Sequence, residues 1–248
     1  LGTNCGLEDP DDVARMNEIA NDLGVDSIEL GATIAVLMDA GKGGFGDVSF
    51  MKEVTSEMMA GSEIGKFYAS GTARVGETLN FKRVPVIKKQ AISAYDPRLI
   101  EVTGISMMVT AQGADHTVGN NATFKCDDKN IEELVAESLR MQINAAVADS
   151  LGLCVFGRSV TDENLELISN AINDAFDAGV TPDFIRNIGR ETLRLEAAFN
   201  NAAGFDEEDD ELPSFFLDEP LPPTDKMARL RSSEVNAAMQ NLLDAHIG

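Results

Sequence analysis

The sequence predicts a mainly all-α protein of two packed helical domains, with at most a short isolated strand or hairpin. Three observations carry this. Apolar residues recur at three- and four-residue spacing over most of the chain, capping residues sit at the ends of those stretches, and only one short run reads as extended. With 248 residues, 44% hydrophobic and 25% charged, the apolar content suffices for one large or two modest cores.

The first helix opens with Asp9 as N-cap and Pro10 at N1, carries Val13, Met16, Ile19, Ala20 and Leu23 on one stripe, and stops at Gly24. Asp26 caps the second, with Glu29 three residues on in a capping-box-like pair and a stop at Gly41. After the glycine-rich loop 42–47, Ser49 is expected to cap a helix reaching Gly61. That loop lacks the order GxxxxGK[ST] and a preceding strand, so it reads as an ordinary loop rather than a phosphate cradle. Helical signal fades from Gly65 to Gln90, where Arg83–Ile87 is the one extended run and Pro85 restricts it to an edge or an isolated strand.

Pro97 is expected to restart a helix that is apolar nearly all round, hence buried, and ends near Gly113. Residues 115–121 are a polar loop. Further helices are predicted over 130–151, 161–178, 181–203 and from Ser232 or Ser233 to Ala245, with Thr181 before Pro182 and Asp183 as a strong start. Between the last two, the acidic run from Asp206 reads as a solvated turn and Leu212–Phe216 as an extended arm pinned by its phenylalanines.

A net charge of −22 disfavours binding to phosphate backbones and anionic lipids, so neither nucleic acid nor membrane is an expected partner. No window holds the ~18 uninterrupted apolar residues of a membrane span. The first residues lack a secretory pattern, and three widely spaced cysteines make no extracellular disulfide framework; a cytoplasmic location is expected. The opening without an initiator methionine reads like mid-domain sequence, which suggests that upstream residues are missing.

Chemistry concentrates in a few residues. Cys154 follows a helix end and Gly152, which can turn the chain in left-handed geometry so that the thiol and the backbone of Leu153 face a partner. This suits a metal ligand, although by residue type alone a buried core cysteine is the stronger reading. Asp149 lies in an apolar helix end where an unpaired carboxylate is costly to bury, so it must meet solvent or a donor such as the amino and ring N–H edge of a heterocycle. Asp26 can act alike from a similar Asp-Ser segment, although N-capping explains it by itself. His116, in a loop after the buried helix, is placed for acid–base work. Cys5 and Cys126 read as core, and His246, in a final helical turn, as structural.

The segments Gly2–Gly6, Gly24–Ile28, Gly31–Ala35, Ala94–Arg98, Gly113–His116, Asp149–Cys154, Leu195–Asn200 and Leu212–Pro222 occur in the order seen in aldehyde ferredoxin oxidoreductases, and the chain resembles that family over nearly its whole length. Asp149-x-x-Gly152-Leu153-Cys154 is the most specific element. The resemblance implies the family's second and third helical domains, at 1–125 and 126–248, without its N-terminal β domain. It further implies a tungsten or molybdenum bis-pterin and a [4Fe–4S] cluster, oxidation of a small aldehyde to a carboxylic acid, and ferredoxin as electron acceptor. Cys154 would be the one cluster ligand here, Asp149 and Asp26 would hold the pterins with Gly152 and Leu153 beside them, and His116 would serve as catalytic proton donor or acceptor.

The family's other cluster cysteines and active-site glutamate would precede Leu1, so the fragment alone is expected to be inactive and to lack both cofactors. Asp115, Thr117 and Val118 depart from the family pattern around His116, which leaves a coenzyme A thioester ring reductase as an alternative. A catalytically silent scaffold or partner-binding module of the same fold is another, and a homodimer is compatible with either.

Overall fold

The computed structural model describes residues 1–245. His246 therefore lies outside the described residues. The chain divides into two compact units, Leu1–Ala94 with Pro213–Asp218, and Tyr95–Leu212 with the residues from Glu219 onward. Among the described residues the only sheet is a two-stranded hairpin, so the fold is mainly all-α as the pattern required. No helix is long and apolar enough to cross a membrane.

The first unit contains α1 (Pro10–Leu23), α2 (Ser27–Asp39), α3 (Val48–Ala60), α4 (Glu63–Tyr68), α5 (Thr72–Thr78) and a hairpin of β1 (Val86–Ile87) and β2 (Gln90–Ala91). Asp9 caps α1 by accepting from Asp11 N at 2.9 Å, and Gly24 closes it in left-handed geometry, as read from sequence. Its core gathers Cys5, Met16, Ala20, Leu30, Ile34, Leu37, Met51, Val54 and Val75.

Four expectations for this unit need correction. The third helix is capped by Asp47, whose carboxylate accepts from Phe50 N at 3.0 Å, not by Ser49. Of the stretch 65–90, where helical signal fades in sequence, the part to Thr78 is mostly helical, because Ser62 caps α4 and the short helices α4 and α5 need no long apolar period. Asp26 accepts from Glu29 N at 2.8 Å, but Glu29 does not complete a capping box. Its carboxylate instead accepts from Thr72 N (2.6 Å) and Ala91 N (2.9 Å), tying α2 to α5 and β2. Finally, the arm expected to be extended forms a short helix, α11 (Phe215–Asp218), with Phe216 buried and the Arg83 guanidinium over the Phe215 ring at 4.9 Å.

The second unit contains α6 (Glu101–Val109), α7 (Ile131–Ser150), α8 (Arg158–Thr161), α9 (Leu165–Phe176), α10 (Pro182–Ala203) and α12 (Ser232–Asp244). A full capping box, Asn130 with Glu133, starts α7, and Thr181 starts α10. Residues 97–100 are turns, so α6 is shorter at both ends than its apolar run suggested. The helix expected over 161–178 is shortened to α9, since α8 ends at Thr161 and the intervening residues are not helical, and the acidic run 207–210 is a 3₁₀ turn whose Asp210 is buried and accepts from Asn236 Nδ2.

Buried α6 carries polar groups that the core satisfies. Ser106 Oγ lies 2.9 Å from Ser138 Oγ and 3.1 Å from Gly119 O, and Gln142 Nε2 donates to Ser138 Oγ at 3.0 Å. Glu101, also buried, accepts two bonds from Arg229 at 2.7 and 2.8 Å, while the same guanidinium reaches the carbonyls of Cys126 and Lys129.

The longest helices, α7 and α10, bring their backbones close at Gly189. A Cβ there would overlap Ile143 O and crowd Val147. Gly189→Ala should therefore force the helices apart and lower the urea unfolding midpoint by an equivalent of about 1–3 kcal/mol, the usual cost of overpacking. A midpoint equal to that of the wild type would show that the pair relaxes freely.

Candidate functional site

The end of α7 builds the most specific segment. Gly152, at φ 67°, reverses the chain, Gly152 N donates to Asp149 O at 3.1 Å and Leu153 N donates to Ala148 O at 2.8 Å. This paired closure is a Schellman motif, and it needs left-handed backbone at its glycine. The turn expected from sequence is thus present, with one restriction. The Leu153 N–H is consumed by Ala148, leaving only its carbonyl to meet a ligand.

Cys154 follows as the N-cap of a 3₁₀ turn, with Gly157 N donating to its carbonyl at 2.8 Å, and its thiol is free and exposed. Asp149 is exposed as well. Cys154 is thus not the buried core cysteine that its residue type suggested, and the turn is open, because nothing within 4 Å would meet even a Cβ on Gly152. Behind the turn, Leu153, Asn144, Val147, Ala148, Thr161 and Leu165 line a small hollow of about 200 Å³ that includes open solvent.

The His116 loop begins with two consecutive left-handed residues, Gly113 and Ala114, and Ala114 N donates to Met107 O at 2.8 Å. Asp115 is buried and turned forward, accepting from Thr117 N (2.7 Å) and Thr117 Oγ1 (2.8 Å), so it shapes the loop and is no partner to His116. The His116 ring is half-buried and lies 6.0 Å from the Tyr95 ring, centroid to centroid.

Two residues of this region were missed in the sequence. Tyr95 is one, recognisable only through the contact just described. Glu196 is the other. It lies on α10 one turn before Asn200, whose Nδ2 donates to Ala111 O at 2.7 Å and ties α10 to the His116 loop. Burial pushes the Glu196 carboxyl above the usual range, and the negative charges of Asp115 and Asp149 push it further. Glu196 therefore stands in the field of both site acids, one from each flanking segment. A glutamate in an amphipathic helix gives no such signal in sequence.

Asp26 belongs to the first unit. Its Oδ1 is engaged in capping α2, and the side chain is exposed. Cys5 and Cys126 are buried, as expected of core cysteines; the Cys5 thiol donates to Gly31 O at 3.3 Å.

The residues present fit part of what a pterin and a cluster require. An exposed carboxylate and an exposed thiol flank an open turn, and two buried polar groups lack a hydrogen-bond partner: Thr110 Oγ1, at the end of α6, and Arg158 Nε and Nη2, four residues after Cys154, where the Asp162 carboxylate stands 3.9 Å from Nε as an ion pair. Such orphaned groups are expected where a ligand or further chain completes a site. Among the described residues, no group of three or more His, Cys, Asp or Glu is placed to hold a metal ion. One corner of a cluster is therefore present, not a whole one.

The raised Glu196 carboxyl has a thermodynamic consequence. A folded pKa above the unfolded value contributes stability below the unfolded pKa, and that contribution is lost as pH rises through the folded pKa. Glu196→Gln should thus be more stable than the wild type once pH exceeds the folded pKa, with the gain disappearing in acid. Asp149→Asn should bring the Glu196 titration, followed by carboxyl ¹³C NMR, back toward the ordinary range. An unmoved titration would mean that Asp149 is not its neighbour.

Comparison with known proteins gives one family. Residues 1–245 match the family described as aldehyde ferredoxin oxidoreductase, domains 2 & 3. The tungsten-containing aldehyde ferredoxin oxidoreductase of Pyrococcus horikoshii is 28% identical over 250 aligned positions, covering 90% of this chain and 40% of that protein. Its Pyrococcus furiosus counterpart is 26% identical with the same coverage. A 25% identical relative in Pyrococcus furiosus, covered over 37% of its length, is an aliphatic sulfonate oxidoreductase, WOR-like subunit. The chain spans about 40% of the length of the first two relatives. The match over nearly every residue places this chain in the aldehyde ferredoxin oxidoreductase family, within the region of its second and third domains.

Proposed function

We propose that this chain is the helical, cofactor-binding part of a tungsten or molybdenum bis-pterin, iron–sulfur oxidoreductase that oxidises a small aldehyde to a carboxylic acid with ferredoxin as acceptor. The observation that carries the reading is the open Asp149–Cys154 turn, with an exposed carboxylate and an exposed thiol at either end, inside a chain matched along its length by the family. On this reading residues 1–125 and 126–248 correspond to the second and third domains, the protein is cytoplasmic, and the β domain and remaining cluster ligands come from outside this segment. The segment by itself is then inactive and holds neither cofactor.

Within this chain each residue has a definite task. Cys154, as thiolate, supplies one ligand to the cluster, and the Schellman closure fixes where that sulfur emerges. Asp149 accepts from the amino and ring N–H edge of one pterin, a pairing that a planar carboxylate makes bidentately. Asp26 does the same for the other pterin through Oδ2, since Oδ1 is engaged at the cap. Gly152 leaves room beside the turn, and the Leu153 carbonyl remains as acceptor. When bound, the metal–pterin and cluster supply the two-electron oxidation and its one-electron outlet.

His116 exchanges the proton released as the aldehyde carbon is oxidised, and Tyr95 limits the tilt of its ring. The acidic surface of the chain keeps anionic competitors from the site. The sulfonate oxidoreductase among the relatives makes the substrate the most variable part of this reading. A coenzyme A thioester ring reductase remains a second possibility because Asp115, Thr117 and Val118 depart from the family pattern around His116.

Metal analysis of the protein in its full-length form, purified without oxygen, should find about one tungsten or molybdenum and about four irons per chain. Well-folded protein lacking both would leave the silent-scaffold alternative. Cys154→Ala should remove the cluster's electron-paramagnetic signal, and an intact signal would show that another residue is the ligand.

A further inference from the structure

Glu29 stands three residues after Asp26, where a capping box would return its carboxylate to the Asp26 N–H. The carboxylate goes elsewhere. Oε1 accepts from Thr72 N at 2.6 Å, at the start of α5, and Oε2 accepts from Ala91 N at 2.9 Å, in β2. The main chain of the same residue is tied as well. Its carbonyl accepts from Thr72 Oγ1 at 3.2 Å, and that hydroxyl lies 3.0 Å from Thr33 Oγ1, one turn further along α2. Thr33 and Thr72 are buried, and Gly71, at φ 92°, brings the chain into α5 so close that a Cβ there would lie 3.3 Å from Glu29 Oε1. Both carboxylate oxygens and the carbonyl of residue 29 are thus held by segments distant in sequence.

The remaining polar group of Glu29, its N–H, donates to Asp26 Oδ1 at 2.8 Å. Asp26 itself is exposed, so this bond is what turns and holds its carboxylate. We infer that Glu29 is a positioning residue for Asp26: by anchoring residue 29 to α5 and β2, it sets the place and tilt of the carboxylate that receives a pterin edge, an assignment that rests on the role proposed for Asp26 above.

The physical reason lies in what an exposed N-cap lacks. The first turn of a helix frays when only its own hydrogen bonds hold it, and an aspartate there follows the backbone it caps. Edge-on pairing with a planar heterocycle requires the carboxylate to be held within about 10–20°, which a side chain achieves only when the groups behind it are themselves locked. Half-burying a glutamate against two main-chain donors carries a desolvation cost that a local capping box avoids. The longer link therefore does more than start α2. It transfers the rigidity of the buried Thr33, Thr72 and Ala91 to the one N–H that grips Asp26.

The test uses the full-length protein, purified without oxygen, as wild type, Glu29→Gln, Asp26→Asn and the double variant, with tungsten, molybdenum, pterin and iron followed during dialysis. Glu29→Gln keeps the size of the side chain but turns an amide NH₂ toward one of its two donors. Release of tungsten or molybdenum and of pterin should be faster by roughly tenfold, the lower end of what losing a group that orients a ligand costs, with iron retained as in the wild type. In the Asp26→Asn background Glu29→Gln should add nothing, because its effect passes through that carboxylate. Where Glu29→Gln does not fold, Glu29→Asp, one methylene short of its donors, is measured in the same way. Thr72→Val removes hydroxyl bonds from the same junction and leaves both donors to Glu29; it should lower the urea unfolding midpoint while metal and pterin stay bound. Release from Glu29→Gln no faster than from the wild type, an undiminished effect in the Asp26→Asn background, or equal release from Thr72→Val would each overturn the inference and leave the proposed function standing. Asp26→Asn protein that keeps its pterin as the wild type does would instead sink the role proposed for Asp26, and wild-type protein without tungsten or molybdenum would sink the proposed function itself.

Discussion

The close approach of α7 and α10 at Gly189 is the constraint on which the second unit depends. Without a side chain at that position, the α10 backbone can lie against the Ile143 carbonyl. The axis of α10 is then set so that Asn200 reaches the carbonyl of Ala111 and Glu196 enters the field of Asp149 and Asp115. A contact of this kind transmits position because packed helices are nearly incompressible. The carboxylates of the site are placed by a glycine two turns away that has no chemistry of its own.

Polar groups fix what apolar packing alone leaves free. The Ser106–Ser138 hydroxyl pair ties α6 to α7, with Gln142 joining it from within α7 and Ser106 also reaching Gly119 O. Glu101 and Arg229 clamp α6 to the segment before α12 and satisfy the carbonyls of Cys126 and Lys129 in passing. In the first unit Glu29 does similar work, with one oxygen on Thr72 N and the other on Ala91 N. Such a side chain serves as a cross-link, and its loss leaves two donors to find new partners.

The contrast between a well-satisfied interior and an open site is the functional signature. Among the described residues nearly every buried donor is hydrogen-bonded, while Thr110 Oγ1 and Arg158 Nε and Nη2 are not. Cys154 and Asp149, costly to bury unpaired, are held at the surface of this chain. A surface so arranged presents ligands rather than enclosing them, which fits a chain matched to part of a larger enzyme family.

Local chemistry made much of the helical frame legible in the sequence. Asp9, Asp26, Asn130 and Thr181 cap as their types and spacing require, because an N-cap depends only on residues within one turn. The left-handed Gly152 and the core positions of Cys5 and Cys126 follow from the same short-range rules. Tertiary structure decided the rest. Glu29 left its expected capping box for Thr72 and Ala91, residues 43 and 62 positions away. The Leu153 N–H was claimed by the helix end, Tyr95 came beside His116, and Glu196 entered the field of Asp149, none of which spacing encodes. Sequence by itself determined helix boundaries where capping chemistry is local, as at Asp9, Asp26, Gly24 and Thr181, since those rest on hydrogen bonds within a few residues. Which side chains share a site was decided by helix packing, because it depends on how faces of distant segments fit.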